Sequence, residues 1–180
     1  MIESKQDLKE YLDAELGFYK ANPIAAFFGA SESAILRRHQ RLLRKAEYHV
    51  NTGHKLRGLF FRFLLKRIQL RYSLQIPLNA FGKGLHIMHL GPILVNGLTK
   101  AGERCSIHIF TSLVSKRGSG APILGNGVVI GVGASVVGSV TVADNVVIGA
   151  NSVVTHDVTE PDISVAGAPA KKVSDRGRMH

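Results

Sequence analysis

The chain has 180 residues, a single cysteine, and 23 Lys plus Arg against 13 Asp plus Glu, for a net charge of +10. That length suits one domain, or a repeat domain with a helical annex, and the lone Cys105 excludes an intramolecular disulfide framework and fits a reducing compartment. The charge favours polyanionic partners: nucleic acid, an anionic membrane or a phosphorylated cofactor. The first residues, MIESKQDLKEYL, hold no apolar signal core, and no uncharged apolar run approaches the ~20 residues of a membrane span. The expected location is the cytoplasm.

Residues 1–20 read as a helix capped by Ser4, with Leu8, Tyr11, Leu12, Leu16 and Tyr19 on one face. Asn22-Pro23 interrupts it, and a short apolar piece at 24–28 leads to Gly29. Ser31 or Ser33 can cap the next helix, whose apolar face is Ile35, Leu36, His39, Leu42, Leu43, Ala46 and Val50, with Asn51-Thr52-Gly53 as its stop. A third helix over about 54–72 is apolar nearly all round, which predicts that it is largely buried, against the coils that follow it or a partner subunit. The two basic helices carry Arg37, Arg38, Arg41, Arg44, Lys45, Lys55, Arg57, Arg62, Lys66, Arg67 and Arg71. A solvated face is the plainer reading of these charges; a face lying on anionic lipid is the other. Nucleic-acid binding would use the same charges, but no recognition motif or aromatic platform accompanies them.

After Pro77, Gly82 and Gly84 the pattern changes. Residues 123–158 divide into six-residue blocks whose second position is Leu124, Ile130, Val136, Val142, Ile148 and Val154, and whose sixth is Val128, Ala134, Val140, Val146, Ser152 and Val158. A helix needs a period near 3.6 and a plain strand a period of two, so a period of six fits neither. It fits a parallel β-helix, in which short strands joined by Gly- and Asn-rich turns stack coil upon coil. The phase extends backward through Leu113, Ile107, Ala101 and Val95, and one further step lands on His89. The segment 114–121 breaks it and reads as a projecting basic loop. The expected fold is therefore mainly β: an α-helical region at 1–76, a β-helix at 77–173 and a polar tail at 174–180.

The repeats, followed by Val165-Ala166-Gly167-Ala168-Pro169-Ala170-Lys171-Lys172, resemble the left-handed β-helix hexapeptide acyltransferases. The helical start and the Gly84-Leu85-His86-Ile87-Met88-His89 segment are similar to serine acetyltransferases, and GLHIMHLGPILVNG with CSIH resembles the short members linked to capsule and exopolysaccharide synthesis. The resemblance spans about residues 35–173. It implies a homotrimer that uses acetyl-CoA as co-substrate, with no metal.

The resemblance places the general base at His89. An ordinary imidazole, titrating near ~6.5, suits removal of a proton from an acceptor hydroxyl at neutral pH. Developing charge on the thioester oxygen would meet backbone N–H groups of a neighbouring coil. The plain alternative is a histidine that bonds a turn. His108, nineteen residues on and so about one coil away, either polarises the carbonyl or binds acceptor, or merely faces a turn. His86 is a rim or structural residue that could touch acceptor, with Gln75 and Asn96 as further acceptor candidates. Gly131, Val132, Ala134, Gly149 and Ala150 fall where the family runs the pantetheine arm, although turn geometry alone would account for the glycines. Lys116, Arg117, Lys171 and Lys172 are candidate partners for the nucleotide phosphates.

The departures from serine acetyltransferases bear on the acceptor. Met88 stands where they have an aspartate before the base, Gln75-Ile76-Pro77 replaces an Asp-Ile-His-Pro-like segment, and Ala121-Pro122 replaces a second histidine. The groups that recognise free serine are missing from these places, which tilts the acceptor toward a sugar hydroxyl in a surface polysaccharide or its precursor. L-Serine is the alternative acceptor. A zinc lyase of the carbonic-anhydrase kind, on the same fold, and an inactive scaffold are the alternatives in other classes; zinc would need a third good ligand beside His89 and His108.

Overall fold

The computed structural model describes residues 1–20, 31–117 and 120–178. The chain divides into two compact units, Met1–Leu74 and Gln75–His180.

In the first unit, α1 (Lys5–Leu16) begins with a capping box: Asp7 N–H donates to Ser4 Oγ at 3.0 Å, and Ser4 N–H to the Asp7 carboxylate at 2.9 Å. α2 spans Glu32–Asn51 with Ser31 at its N-cap, and α3 spans Lys55–Tyr72. The apolar piece expected at 24–28 lies outside the described residues. α2 buries Leu36, His39, Leu42, Leu43 and Ala46, the face its spacing predicts, while Val50 is left 41% exposed at the end of the helix.

Two polar features sit inside this unit. Arg44, placed by its sequence among the basic surface residues, is instead fully buried. Its guanidinium is held by Glu15 Oε1 at 2.6 Å and Glu47 Oε2 at 2.8 Å, with the Tyr11 ring 4.9 Å away. Burial opposes the charge, but Glu47 and Glu15 together overcome that and raise the Arg44 pKa. His39 is also fully buried, and neither ring nitrogen reaches hydrogen-bond geometry with a partner. Burial, reinforced by the Arg44 charge and only opposed by Gln40, pushes its pKa down to about 3. Because the folded value lies below the unfolded one near 6.5, only the unfolded state takes up a proton on acidification, so stability present above pH 6.5 is lost as pH falls. Melting of the helical unit should lose about 2 kcal/mol between pH 7 and pH 5 through this group. His39→Leu should flatten that dependence in denaturant titrations at the two pH values.

α3 departs from expectation. Only Gly58, Leu65 and Gln69 are buried, whereas Leu56, Leu59, Phe60, Phe63 and Leu70 are exposed by 57–85%. Among the described residues of its unit the helix packs chiefly on α2, with Phe61 stacked on His49 at 5.1 Å, and the apolar residues of its outer face stay exposed.

The second unit is a left-handed β-helix. Its first sheet stacks β1 (Leu74–Gln75), β3 (Ile93–Val95), β6 (Thr111–Val114), β9 (Ser135–Val137) and β12 (Val153–Val154), with the division between the two units falling inside β1. A second stacks β4 (Lys100–Ala101), β7 (Ile123–Leu124) and β10 (Thr141–Val142). The third stacks β2 (His86–Ile87), β5 (Ser106–Ile107), β8 (Val129–Ile130), β11 (Val147–Ile148) and β13 (Ser164–Gly167), and ends in β14 (Ala170–Ser174). From β2 to β13 the paired rungs are parallel, and β14 runs antiparallel to β13. The two repeat positions fill the interior: Leu124, Ile130, Val136, Val142, Ile148 and Val154 are 0–3% exposed, and Val128, Ala134, Val146 and Ser152 are fully buried. Turns are closed by left-handed residues such as Gly127 (φ +67°) directly above Asn145 (φ +57°), a conformation glycine and asparagine adopt most easily.

Coil length is uneven. Val129 pairs with Val147, eighteen residues on, but Ser106 pairs with Val129, twenty-three on, because this coil contains the 114–121 segment. His86 pairs with Ser106, twenty residues on. The two extra residues fall between Ile87 and Val95, and they overturn the phase reading of His89. The inward residue before Val95 is the fully buried Ile87, partnered by Ile107, while His89 lies exposed on the widened corner.

Candidate functional site

Since β2, β5, β8 and β11 are successive rungs of one sheet, the residues that leave each rung stack along one corner of the β-helix. Backbone bonds tie the steps together: Met88 N–H to Ile107 O at 3.0 Å, His108 N–H to Ile130 O at 3.1 Å, Gly131 N–H to Ile148 O at 2.8 Å, and Gly149 N–H to Val165 O at 2.8 Å. His89 leaves the first rung, His108 the second, Gly131-Val132 the third and Gly149-Ala150 the fourth. The corner therefore carries two imidazoles at its first two steps and small residues at the next two, the glycines contributing backbone alone.

The two imidazoles are neighbours, with ring centroids 6.1 Å apart and planes inclined by 45°. Burial lowers the His108 pKa, and the adjacent His89 lowers it further, which favours the neutral imidazole. His108 is fixed by its own backbone, whose carbonyl accepts from Thr111 Oγ1 at 2.7 Å. His86 is half-buried on β2. Burial lowers its pKa first, then the positive field of Arg178, His108 and His89.

Arg178 escaped the sequence reading, which took 174–180 as a polar tail. The tail runs back along the turns: Ser164 Oγ donates to Arg176 O at 2.5 Å, Arg178 N–H donates to Asn145 O at 2.9 Å, and the Arg178 guanidinium donates to the Arg104 carbonyl. Gly177 is the local signal, because a Cβ there would fall 2.6 Å from the Asp162 carbonyl carbon.

Other candidate residues are distributed differently. Gly131 sits so close to the next coil that a Cβ would fall 2.7 Å from Ile148 O, while Val132 is 39% exposed and Ala150 is exposed beside it on the corner. Ala134 is corrected: it is fully buried, its N–H donating to Gly131 O and its carbonyl accepting from Ser112, so it belongs to the core. Lys172 is engaged by Glu160 at 2.5 Å and Asp175 at 2.6 Å, which draws it away from an incoming phosphate. Lys171 is exposed on β14, and Lys116 and Arg117 are exposed on the inserted segment. Asn96 uses its side chain locally, accepting from Leu98 N–H at 2.9 Å and donating to Ser115 Oγ at 3.2 Å. Gln75 is exposed on β1, in a different sheet from His86. Ala121 and Pro122 are buried, so that position presents no polar group. Cys105 is a buried filler whose thiol burial pushes up to about 11. Among the described residues no three His, Cys, Asp or Glu side chains are grouped to hold a metal ion.

Comparison with known proteins locates this architecture. Residues 121–156 match the bacterial transferase hexapeptide family model of six repeats. A comparison with curated protein sequences found no match. Among solved structures, serine acetyltransferase of Neisseria gonorrhoeae superposes with a TM-score of 0.71 at 26% identity, covering 98% of this chain and 68% of that one. The same enzyme solved with serine gives 0.70 at 26%, covering 95% and 71%. Serine acetyltransferase of Brucella abortus in complex with coenzyme A gives 0.66 at 23%, covering 97% and 69%, a likeness of fold.

Proposed function

We propose that this serine-acetyltransferase-like hexapeptide-repeat chain is an acetyl-CoA-dependent O-acetyltransferase that uses His89 as general base. The observation that carries the reading is the single corner on which His89 and His108 stand above Gly131-Val132 and Gly149-Ala150. At ~4.8 Å per rung this column gives an extended thioester arm a straight track that ends at the imidazoles.

In the reaction, the acceptor hydroxyl attacks the thioester carbonyl carbon while His89 takes its proton. The tetrahedral oxyanion is held by backbone N–H groups and by the neutral His108. Collapse breaks the carbon–sulfur bond, and the departing thiolate takes the proton back from His89. The acetyl ester leaves with the acceptor, and no covalent enzyme intermediate is formed. The working unit is a homotrimer in the cytoplasm, with neighbouring β-helices closing the cleft over the corner.

The acceptor is a sugar hydroxyl of a surface polysaccharide or its precursor. The support is chemical: Met88 next to the base and the buried Ala121 offer no charged group for a free amino acid. Serine is the second reading, favoured by the serine-bound neighbour. Thiol release from acetyl-CoA, followed with L-serine and with a panel of mono- and oligosaccharides, separates them. Release that depends on a saccharide is the expected result. Release with serine alone would replace the sugar reading, and no release with any acceptor would favour the scaffold.

A further inference from the structure

The exposed face of α3 has an order that its composition hides. At 3.6 residues per turn, Leu56, Leu59, Phe63 and Leu70 fall within about 60° of one another, opposite the face that buries Leu65 and Gln69. Phe60 borders this stripe. Lys55, Arg62 and Lys66 line one side of it and Arg57, Arg67 and Arg71 the other, and the helix contains no acidic residue. At the start of the stripe a cleft of about 320 Å³ opens, lined by His49, His54, Lys55, Leu59 and Arg62 among others.

An outward apolar ridge 57–85% exposed is costly in water and needs a cover. A second copy of α3 would bring six cations against six with nothing to neutralise them. An anionic bilayer satisfies both chemistries at once: the leucines and phenylalanines enter the acyl boundary and the flanking cations meet phosphates. No helix among the described residues is long and apolar enough to cross a membrane, so α3 would lie on the surface rather than span it.

We infer that α3 docks this protein on anionic lipid through Leu56, Leu59, Phe63 and Leu70, with the cleft at Lys55 and Arg62 receiving a phosphate headgroup. The inference stands apart from the acetyl-transfer reading, since binding is measured without acetyl-CoA or acceptor. The test is sedimentation of the full chain with vesicles of equal parts phosphatidylglycerol and phosphatidylcholine, and with phosphatidylcholine alone. The expected result is binding to the anionic vesicles at least ten-fold tighter than to the neutral ones. The pair Leu56→Ser/Phe63→Ser and the pair Lys66→Gln/Arg67→Gln should each weaken it more than ten-fold. All four side chains are exposed, and an unchanged circular dichroism spectrum and melting profile will verify that the variants fold. The inference is overturned if the anionic vesicles bring down no protein. It also fails if the serine pair binds as tightly as the parent, which would reduce the contact to charge alone. A third overturning result is a fall in molar mass of the serine pair in light scattering, since the ridge would then join copies of this chain.

Discussion

Replacing His89 by alanine is expected to lower turnover by ~10²–10⁴-fold, the range that a positioned general base contributes, while leaving the KM for acetyl-CoA nearly unchanged. The split follows from where the residue stands. His89 is exposed on a corner that the coil widens by two residues, and its ring lies at the imidazole end of the column while the track for the thioester arm begins at Gly131. Its side chain is exposed, so the melting temperature should hold. His108→Ala should cost less, because the neutral imidazole of His108 supports the oxyanion rather than taking the proton. Steady-state kinetics of both variants, with the acceptor identified in the panel above, check this. An alanine variant at His89 that turns over like the parent would remove the base from the mechanism.

The second large effect is structural. Glu15→Ala should destabilise the helical unit by about 3–5 kcal/mol, the usual result of leaving one member of a buried ion pair without its partner. Arg44 and Glu15 are both fully buried, and the Arg44 Nε–H and Nη2–H both donate to the Glu15 carboxylate. A loss of that size corresponds to a fall of more than about 10 °C in the melting of so small a unit. The triple replacement Glu15→Leu/Arg44→Met/Glu47→Leu should recover much of it, since exchanging a whole buried charge cluster for apolar groups is often neutral. Thermal melts followed by the helical signal test both. A single variant no less stable than the parent would mean that water reaches Arg44.

The β-helix was legible because its rule is local: every sixth residue points inward, and Leu124, Ile130 and Val136 say so by composition alone. His89 shows how the same rule misleads. It stands six residues before Val95 by coincidence, because two extra residues shift the phase and Ile87 takes the interior place. The neighbourhood of His89 and His108 was readable from a coil of about eighteen residues, since twenty is near enough to bring the rings together. Burial of α3 was misjudged because an apolar residue on every side indicates burial only when something lies on every side, and among the described residues of its unit the main cover is α2 on one side. Arg44 and Arg178 were hidden for a related reason. A cation in a basic run, or in a polar tail, carries no mark of the carboxylates or carbonyls it will find in three dimensions.

A stack of parallel rungs has no intrinsic length, and each finished coil is a template for another strand, including one from another molecule. β14 answers that hazard by turning the last strand back on β13 and presenting Lys171 and Lys172 at the edge. The reversed strand breaks the register that a further parallel coil would need, and the exposed Lys171 adds a charge at that edge. On this one sheet it works as a chain terminator, in the sense used for polymers: the strand at that edge offers no template for another parallel rung.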